Sequence, residues 1–203
     1  MTDAVVPRIQ TKYTPPDLFT ALRSDWPSVE TTAPASRASI LTLLAQVCFE
    51  TGWGSACWNW NLGNHKKVAG DGHDYYMVRC NEIIGGKVVW FDPPDPATWF
   101  RSYATLADGV REYLVSLRGR FGSSWPAVID GNPAEFAHLL KAARYYTDDE
   151  SHYTNSLVSI YHSLDLSIPP DASERITEPE INVEHPDVVA DEIQTTPDEL
   201  PPV

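Results

Sequence analysis

The sequence predicts an α+β domain: a mainly helical body with one small β-hairpin, followed by a disordered acidic extension. Three observations carry this expectation. Several capped segments repeat their apolar residues at the helical period. A single Gly-Gly turn lies between two β-branched runs. Composition changes abruptly after residue 165. The expected organisation is an N-terminal arm and short helix over 1–35, the folded domain over 36–165, and a Pro-rich tail over 166–203.

Residues 1–13 form an arm without clear periodicity. Pro15-Pro16-Asp17 opens a short helix with Leu18, Phe19 and Leu22 on one side, and Trp26-Pro27 stops it. The Ser/Thr/Pro stretch from Ser28 to Pro34 leads to the most strongly patterned helix. Ser36 can cap it, Ile40, Leu43, Leu44, Val47 and Cys48 follow its period, and Gly52 and Gly54 end it. Glu50 therefore falls in the last turn of a largely apolar helix. From Trp53 to Asp74 the chain is rich in Gly, Asn and Trp and reads as an ordered surface loop. A hairpin follows, roughly Met77–Ile84 and Lys87–Phe91 about Gly85-Gly86, and Asp92-Pro93-Pro94-Asp95-Pro96 breaks its second strand.

The remainder is helical. Thr105 to Asp108 resembles a capping box, and Leu106, Val110, Tyr113, Leu114 and Leu117 form a stripe. Asn132-Pro133-Ala134-Glu135 supplies a cap, a Pro at the first position and an acid at the third, ahead of Phe136, Leu139 and Leu140. Asp148 or Asp149 starts the last helix, with Leu157, Ile160, Tyr161 and Leu164 inward. The total is about six helices.

The chain of 203 residues is 42% hydrophobic, with 7 Trp, 9 Tyr and 6 Phe, enough to build a core and to exclude wholesale disorder. No apolar run is long enough to span a membrane. Of the net charge of −13, residues 166–203 hold −9, from ten Asp/Glu against one Arg, and they contain seven of the 17 Pro and no aromatic residue. Such a tail cannot bury enough apolar area to offset its ordering entropy. It reads as a solubilising linker, ahead of a segment that binds a protein partner or serves export. The acidic balance argues against nucleic acid as a ligand. Cys48, Cys57 and Cys80 lack a CxxC spacing, which leaves one disulfide with a free thiol, or three reduced thiols. His65, His73 and Asp74 lack a fixed metal-ligand spacing, and phosphate loops are absent, so no cofactor is expected. His138, His152 and His162 lie on helix flanks.

Glu50 is the residue that asks for a chemical role. Burial against apolar and aromatic groups raises a carboxyl pKa, and the negative end of a helix dipole acts the same way. A carboxylic acid still protonated near neutrality is what glycoside cleavage needs to protonate the leaving oxygen.

The run Ala45-Gln46-Val47-Cys48-Phe49-Glu50-Thr51-Gly52-Trp53-Gly54 resembles the A-Q-x-x-x-E-[ST]-G-[WY]-G helix end of bacterial peptidoglycan N-acetylglucosaminidases of the flagellar-rod autolysin type, in the lysozyme-like superfamily. Asn61-Leu62-Gly63-Asn64-His65-Lys66 is similar to the family's Asn-Leu-Phe-Gly-Ile-Lys run, one residue short. Glu82 to Val88 resembles its hairpin, Phe100-Arg101-Ser102-Tyr103 its F-R-x-Y, and Ala143-Arg144-Tyr145-Tyr146-Thr147-Asp148 its A-G-Y-A-T-D. The five motifs occur in order across roughly residues 36–165.

The resemblance implies Glu50 as general acid, Glu82 as the second carboxylate and Tyr145 beside them. It implies that Asn61, Phe100, Arg101 and Tyr103 shape the glycan groove. Trp53, Trp58, Trp60 and Tyr146 are further candidates for contact with sugar rings, with Trp58 or Trp60 favoured, whereas Trp90 reads as core. Arg144 stands where the family has Gly, and Asp71, Asp74, Asp92 and Asp95 are rivals of Glu82. The implied activity is hydrolysis of the β-1,4 bond between N-acetylglucosamine and N-acetylmuramic acid, by retention, inversion or attack of the substrate's own N-acetyl group. A muramidase, a lytic transglycosylase and a non-catalytic glycan-binding module are the alternatives. The implied place of action is outside the cytoplasm, although Met1 to Gln10 lacks the pattern of a secretory signal.

Overall fold

The computed structural model describes residues 3–170; the expectation of a disordered tail falls on residues outside these, apart from its first five positions. The architecture is organised by one helix that is apolar on every side. In α1 (Pro15–Asp25) and α2 (Arg37–Glu50) the difference is plain: α1 buries Leu18, Phe19 and Leu22 on one face, whereas α2 buries every position from Ser39 to Cys48. A helix buried all round belongs at the centre of a bundle. Its polar residues are each satisfied, as burial demands. Ser39 Oγ donates to Ile129 O at 2.9 Å, Thr42 Oγ1 to Ala38 O at 2.9 Å, and Gln46 bonds two tyrosines.

Around α2 pack α1 and the C-terminal helices α4 (Trp125–Ile129), α5 (Pro133–Ala142) and α6 (Glu150–Ser167), while α3 (Leu106–Arg120) packs on α1 and reaches α2 through Tyr113, which bonds Gln46. The caps are the expected ones. Ser36 accepts from Ser39 N, Thr105 and Asp108 form a reciprocal capping box, Asn132 accepts from Glu135 N, and Asp149 rather than Asp148 accepts from His152 N. Gly109 is required by a close approach: a Cβ there would lie 2.1 Å from the carbonyl oxygen of Trp60, so α3 presses directly on the loop after α2. α6 runs past residue 165, and Ile168 beyond it is only 5% exposed.

The hairpin is present as β2 (Cys80–Ile84) and β3 (Lys87–Phe91), antiparallel, with Glu82 opposite Val89. A second ladder was not expected. β1 (Tyr75–Met77) pairs antiparallel with β4 (Trp99–Arg101), Tyr75 opposite Arg101. Nor is the N-terminal arm idle. It bridges Val5 to Tyr75 and Gln10 to Trp58, and the amide of Asn59 clasps it, accepting from Ile9 N at 2.8 Å and donating to Pro7 O at 3.0 Å. Arm and α1 thus share the core with the residues after 35. All three cysteines are free thiols.

Trp90 corrects the sequence reading: it is 53% exposed, not core. It points outward on β3, between the partly buried Val89 and Phe91, and the Arg79 guanidinium sits 4.5 Å from its ring centre.

Candidate active site

A cavity of about 510 Å³ opens beside the C-terminus of α2. Glu50 enters it from the last helical turn. Gly52 (φ +52°) and Gly54 (φ +82°) then take left-handed conformations that turn the chain away, leaving the carboxyl group facing the cavity. The opposite wall comes from the loop residues His65 and Lys66, from Arg101 at the end of β4, and from Tyr113 and Arg120 on α3. Tyr145 and Tyr146, between α5 and α6, close the site.

Glu50 is half-buried, and burial raises its carboxyl pKa. Two tyrosines oppose the shift by donating to the charged form. Tyr153 Oη lies 3.3 Å from Oε1, and Tyr145 supplies the other bond. Behind them runs a buried polar chain: Tyr113 donates to Gln46 Oε1, and Gln46 Nε2 donates to Tyr153 Oη at 3.5 Å. Gln46 precedes Glu50 by four residues, so both reach Tyr153 from one side of α2. Tyr153 is further fixed by a parallel stack on Tyr146 at 3.8 Å and by the edge of Phe49 at 4.9 Å. The arrangement holds a single carboxyl group that keeps its proton above the ordinary carboxyl range, in a space open to ligand.

The basic wall is knitted to acids outside the cavity. Arg101 pairs with Asp71 at 3.0 Å and Glu112 at 3.5 Å, and Lys66 with Glu82 at 3.2 Å. His65 bonds Tyr103 Oη at 3.0 Å through Nδ1, and its imidazole pKa is pushed down to about 4 by burial, then by Arg101 and Arg120. His73 faces Glu112. Among the described residues, no group of His, Cys, Asp and Glu side chains converges as a metal site.

The comparisons with known proteins agree with this geometry. The family model described as glucosaminidase, mannosyl-glycoprotein endo-beta-N-acetylglucosaminidase, matches residues 27–166. The chain belongs to this glucosaminidase family of glycoside hydrolases. A peptidoglycan hydrolase from Sphingomonas sp. A1 superposes with a TM-score of 0.52 at 19% identity, covering 76% of this chain and 92% of that one. The catalytic domain of the autolysin Auto from Listeria monocytogenes gives 0.52 at 16% identity, covering 78% and 89%. The glycoside hydrolase domain of FlgJ from Salmonella typhimurium, C-terminally truncated, gives 0.50 at 21% identity, covering 75% and 98%. These likenesses establish the fold. No significant match is found among curated proteins.

In this glucosaminidase, the structure brings together Glu50, Arg101, Tyr145 and Tyr146 of the residues singled out in the sequence. The others lie elsewhere. Glu82 is on the hairpin, its side chain 49% exposed, and reaches the cavity wall through Lys66. Asn61 is buried and holds backbone: its Nδ2 donates to His65 O and Arg101 O, and its Oδ1 accepts from His65 N. It clasps the loop to β4. Tyr103 stands behind His65. Trp58 lies under the Arg8 guanidinium, Trp60 packs on the core, and Trp53 is 48% exposed; none of the three lines the cavity. Of the rival acids, Asp71 is committed to Lys67 and Arg101. Tyr113 read only as part of an apolar stripe, and Arg120 and Phe121 carried no motif, yet all three form the wall.

Proposed function

We propose that the chain is a peptidoglycan hydrolase that cuts the β-1,4 bond after N-acetylglucosamine, with Glu50 as general acid. The observation that supports this most is the placing of a half-buried carboxyl group of raised pKa, held by two tyrosine hydroxyls, in the wall of a cavity large enough for sugar rings. The protonated group donates to the glycosidic oxygen as the bond breaks, and the tyrosines stabilise the carboxylate that remains. Glu82 is the second carboxylate of the reading, carried on a hairpin and tethered to the site by Lys66. Peptidoglycan is the substrate of this reading because a solved structure of the same fold, the Sphingomonas hydrolase, is named for it. Action on that polymer places the enzyme outside the cytoplasm; no helix among the described residues is long and apolar enough to cross a membrane.

The test is digestion of purified peptidoglycan by the wild type and by Glu50→Gln, with mass spectrometry of the released ends. Reducing N-acetylglucosamine ends from the wild type alone support the reading. Reducing muramic acid ends replace it with a muramidase, and 1,6-anhydro ends with a lytic transglycosylase. Equal digestion by both proteins removes Glu50 from the chemistry.

A further inference from the structure

The cavity is charged in a way that cleavage of a neutral sugar does not require. Glu50 is the one carboxylate in its wall, against Lys66, Arg101, Arg120 and the imidazole of His65, in a chain whose net charge is −13. Arg101 and Lys66 are neutralised by acids lying outside the cavity. Arg120 is not. It is exposed at the last turn of α3, lies 5.4 Å from the ring centre of Phe121, and has no carboxylate partner among the described residues. A basic residue in the last turn is favoured by the helix dipole, but Arg118 already serves there, paired with Glu30 at 3.8 Å and facing Trp125. Arg120 instead turns to the cavity, where its charge and that of Arg101 both bear on His65.

We propose that Arg120, backed by Arg101 and Lys66, forms a subsite for a carboxylate of the substrate, so that muramyl-bearing strands are selected over neutral polymers of N-acetylglucosamine. The inference rests on the peptidoglycan reading above and names what that site recognises. A guanidinium presents paired donors that match a carboxylate, and a partly enclosed wall weakens competition from water. Two carboxylates share this chemistry: those of the stem peptide, and the lactyl group freed when the peptide is removed.

The experiment measures binding by calorimetry in the Glu50→Gln background, where the strands stay intact. Three probes of equal length are compared: peptide-bearing glycan strands, strands stripped by an amidase, and chitooligosaccharide. Arg120→Glu is expected to lower the affinity for charged strands about tenfold relative to chitooligosaccharide, and added salt to narrow the gap in the parent. Loss on peptide-bearing strands only assigns the stem peptide; loss on amidase-stripped strands only assigns the lactyl group; loss on both shows that the subsite takes either carboxylate. An equal loss on all three probes, or no loss, overturns the subsite while leaving the functional reading intact. Failure of the parent to bind any of the three overturns both.

Discussion

The hydroxyl of Tyr153 donates to Oε1 of Glu50 across 3.3 Å, although the residues stand 103 positions apart. This bond and that of Tyr145 favour the carboxylate, while burial, the larger effect, favours the acid. In the proposed role of Glu50 as general acid, the balance sets the pH at which a proton is ready for the leaving oxygen. Tyr153→Phe removes one donor and keeps the ring, its stack on Tyr146 and its contact with Phe49. The alkaline limb of the rate profile should therefore move to higher pH. Gln46 Nε2 loses an acceptor in the same variant, so stability should fall by about 1 kcal/mol. A limb that stays in place, or moves down, shows that Tyr153 does not act on the catalytic proton.

Glu50→Gln should lower turnover by roughly 10²–10⁴ or more and erase the alkaline limb. Its effect on stability has a definite sign. The folded pKa lies above the unfolded value of about 4.3. The proton's stabilising contribution is complete below the unfolded pKa and is lost as pH rises through the folded one. At alkaline pH, above the folded pKa, the ionised group is a burden, so the glutamine variant should melt there at the same temperature or higher. At pH 4 it should lose that advantage. Thermal melts at both values read this out.

Glu82 faces Lys66 rather than the cavity. If it activates water, Glu82→Gln lowers turnover by roughly 10²–10⁴, and Lys66→Met, which frees the carboxylate from its tether, lowers it too. Steady-state rates on peptidoglycan decide. Full activity in both variants leaves the substrate's N-acetyl group as the internal nucleophile, or one of Asp74, Asp92 and Asp95 as the second carboxylate.

What could be read in the sequence was governed by contacts within about four residues. Ser36, Thr105, Asn132 and Asp149 cap their helices because the bonds are local, and Gly85-Gly86 folds its hairpin for the same reason. The ladder of β1 with β4 spans 26 residues from Tyr75 to Arg101 and left no local mark. The same limit applies to the site. Glu50 could be found because burial and a helix end act on it locally. Tyr113 repeats on an apolar stripe whether or not its hydroxyl reaches Gln46, and Arg120 becomes a wall residue only when α3 packs on the Trp60 loop. Trp90 failed in the other direction: residue type suggested core, but the ring is half exposed and is met by the Arg79 guanidinium.

Arg144 occupies the position where related sequences were expected to have glycine, and its φ is +59°. An L-residue with a Cβ is strained there by about 1 kcal/mol, whereas glycine adopts the conformation freely. Arg144 is exposed. Arg144→Gly should therefore raise stability by about 0.5–1 kcal/mol in denaturant unfolding, and Arg144→Ala should give no such gain. A loss in the glycine variant means that the guanidinium contributes more than the backbone strain costs.

The boundary between folded domain and extension can be set by experiment. Composition changes at residue 165, but the fold continues past it. α6 ends at Ser167, and Ile168, 5% exposed, joins the core. Arg37 closes that end: its Nη2 donates to Asp165 O at 2.8 Å, to Asp165 Oδ1 at 2.9 Å and to Ile168 O at 2.7 Å. A chain cut after Asp165 loses the isoleucine and one of these acceptors. Burying such a side chain is worth about 1.5–3 kcal/mol, which for a domain of this size is a fall in Tm of roughly 4–10 °C. A chain cut after Pro170 keeps every one of these contacts and should melt with the full-length protein. Ile168→Ala in the full-length chain should reproduce most of the loss seen on cutting after Asp165. If both truncations melt together, Ile168 adds nothing to the core and the domain ends where the composition changes.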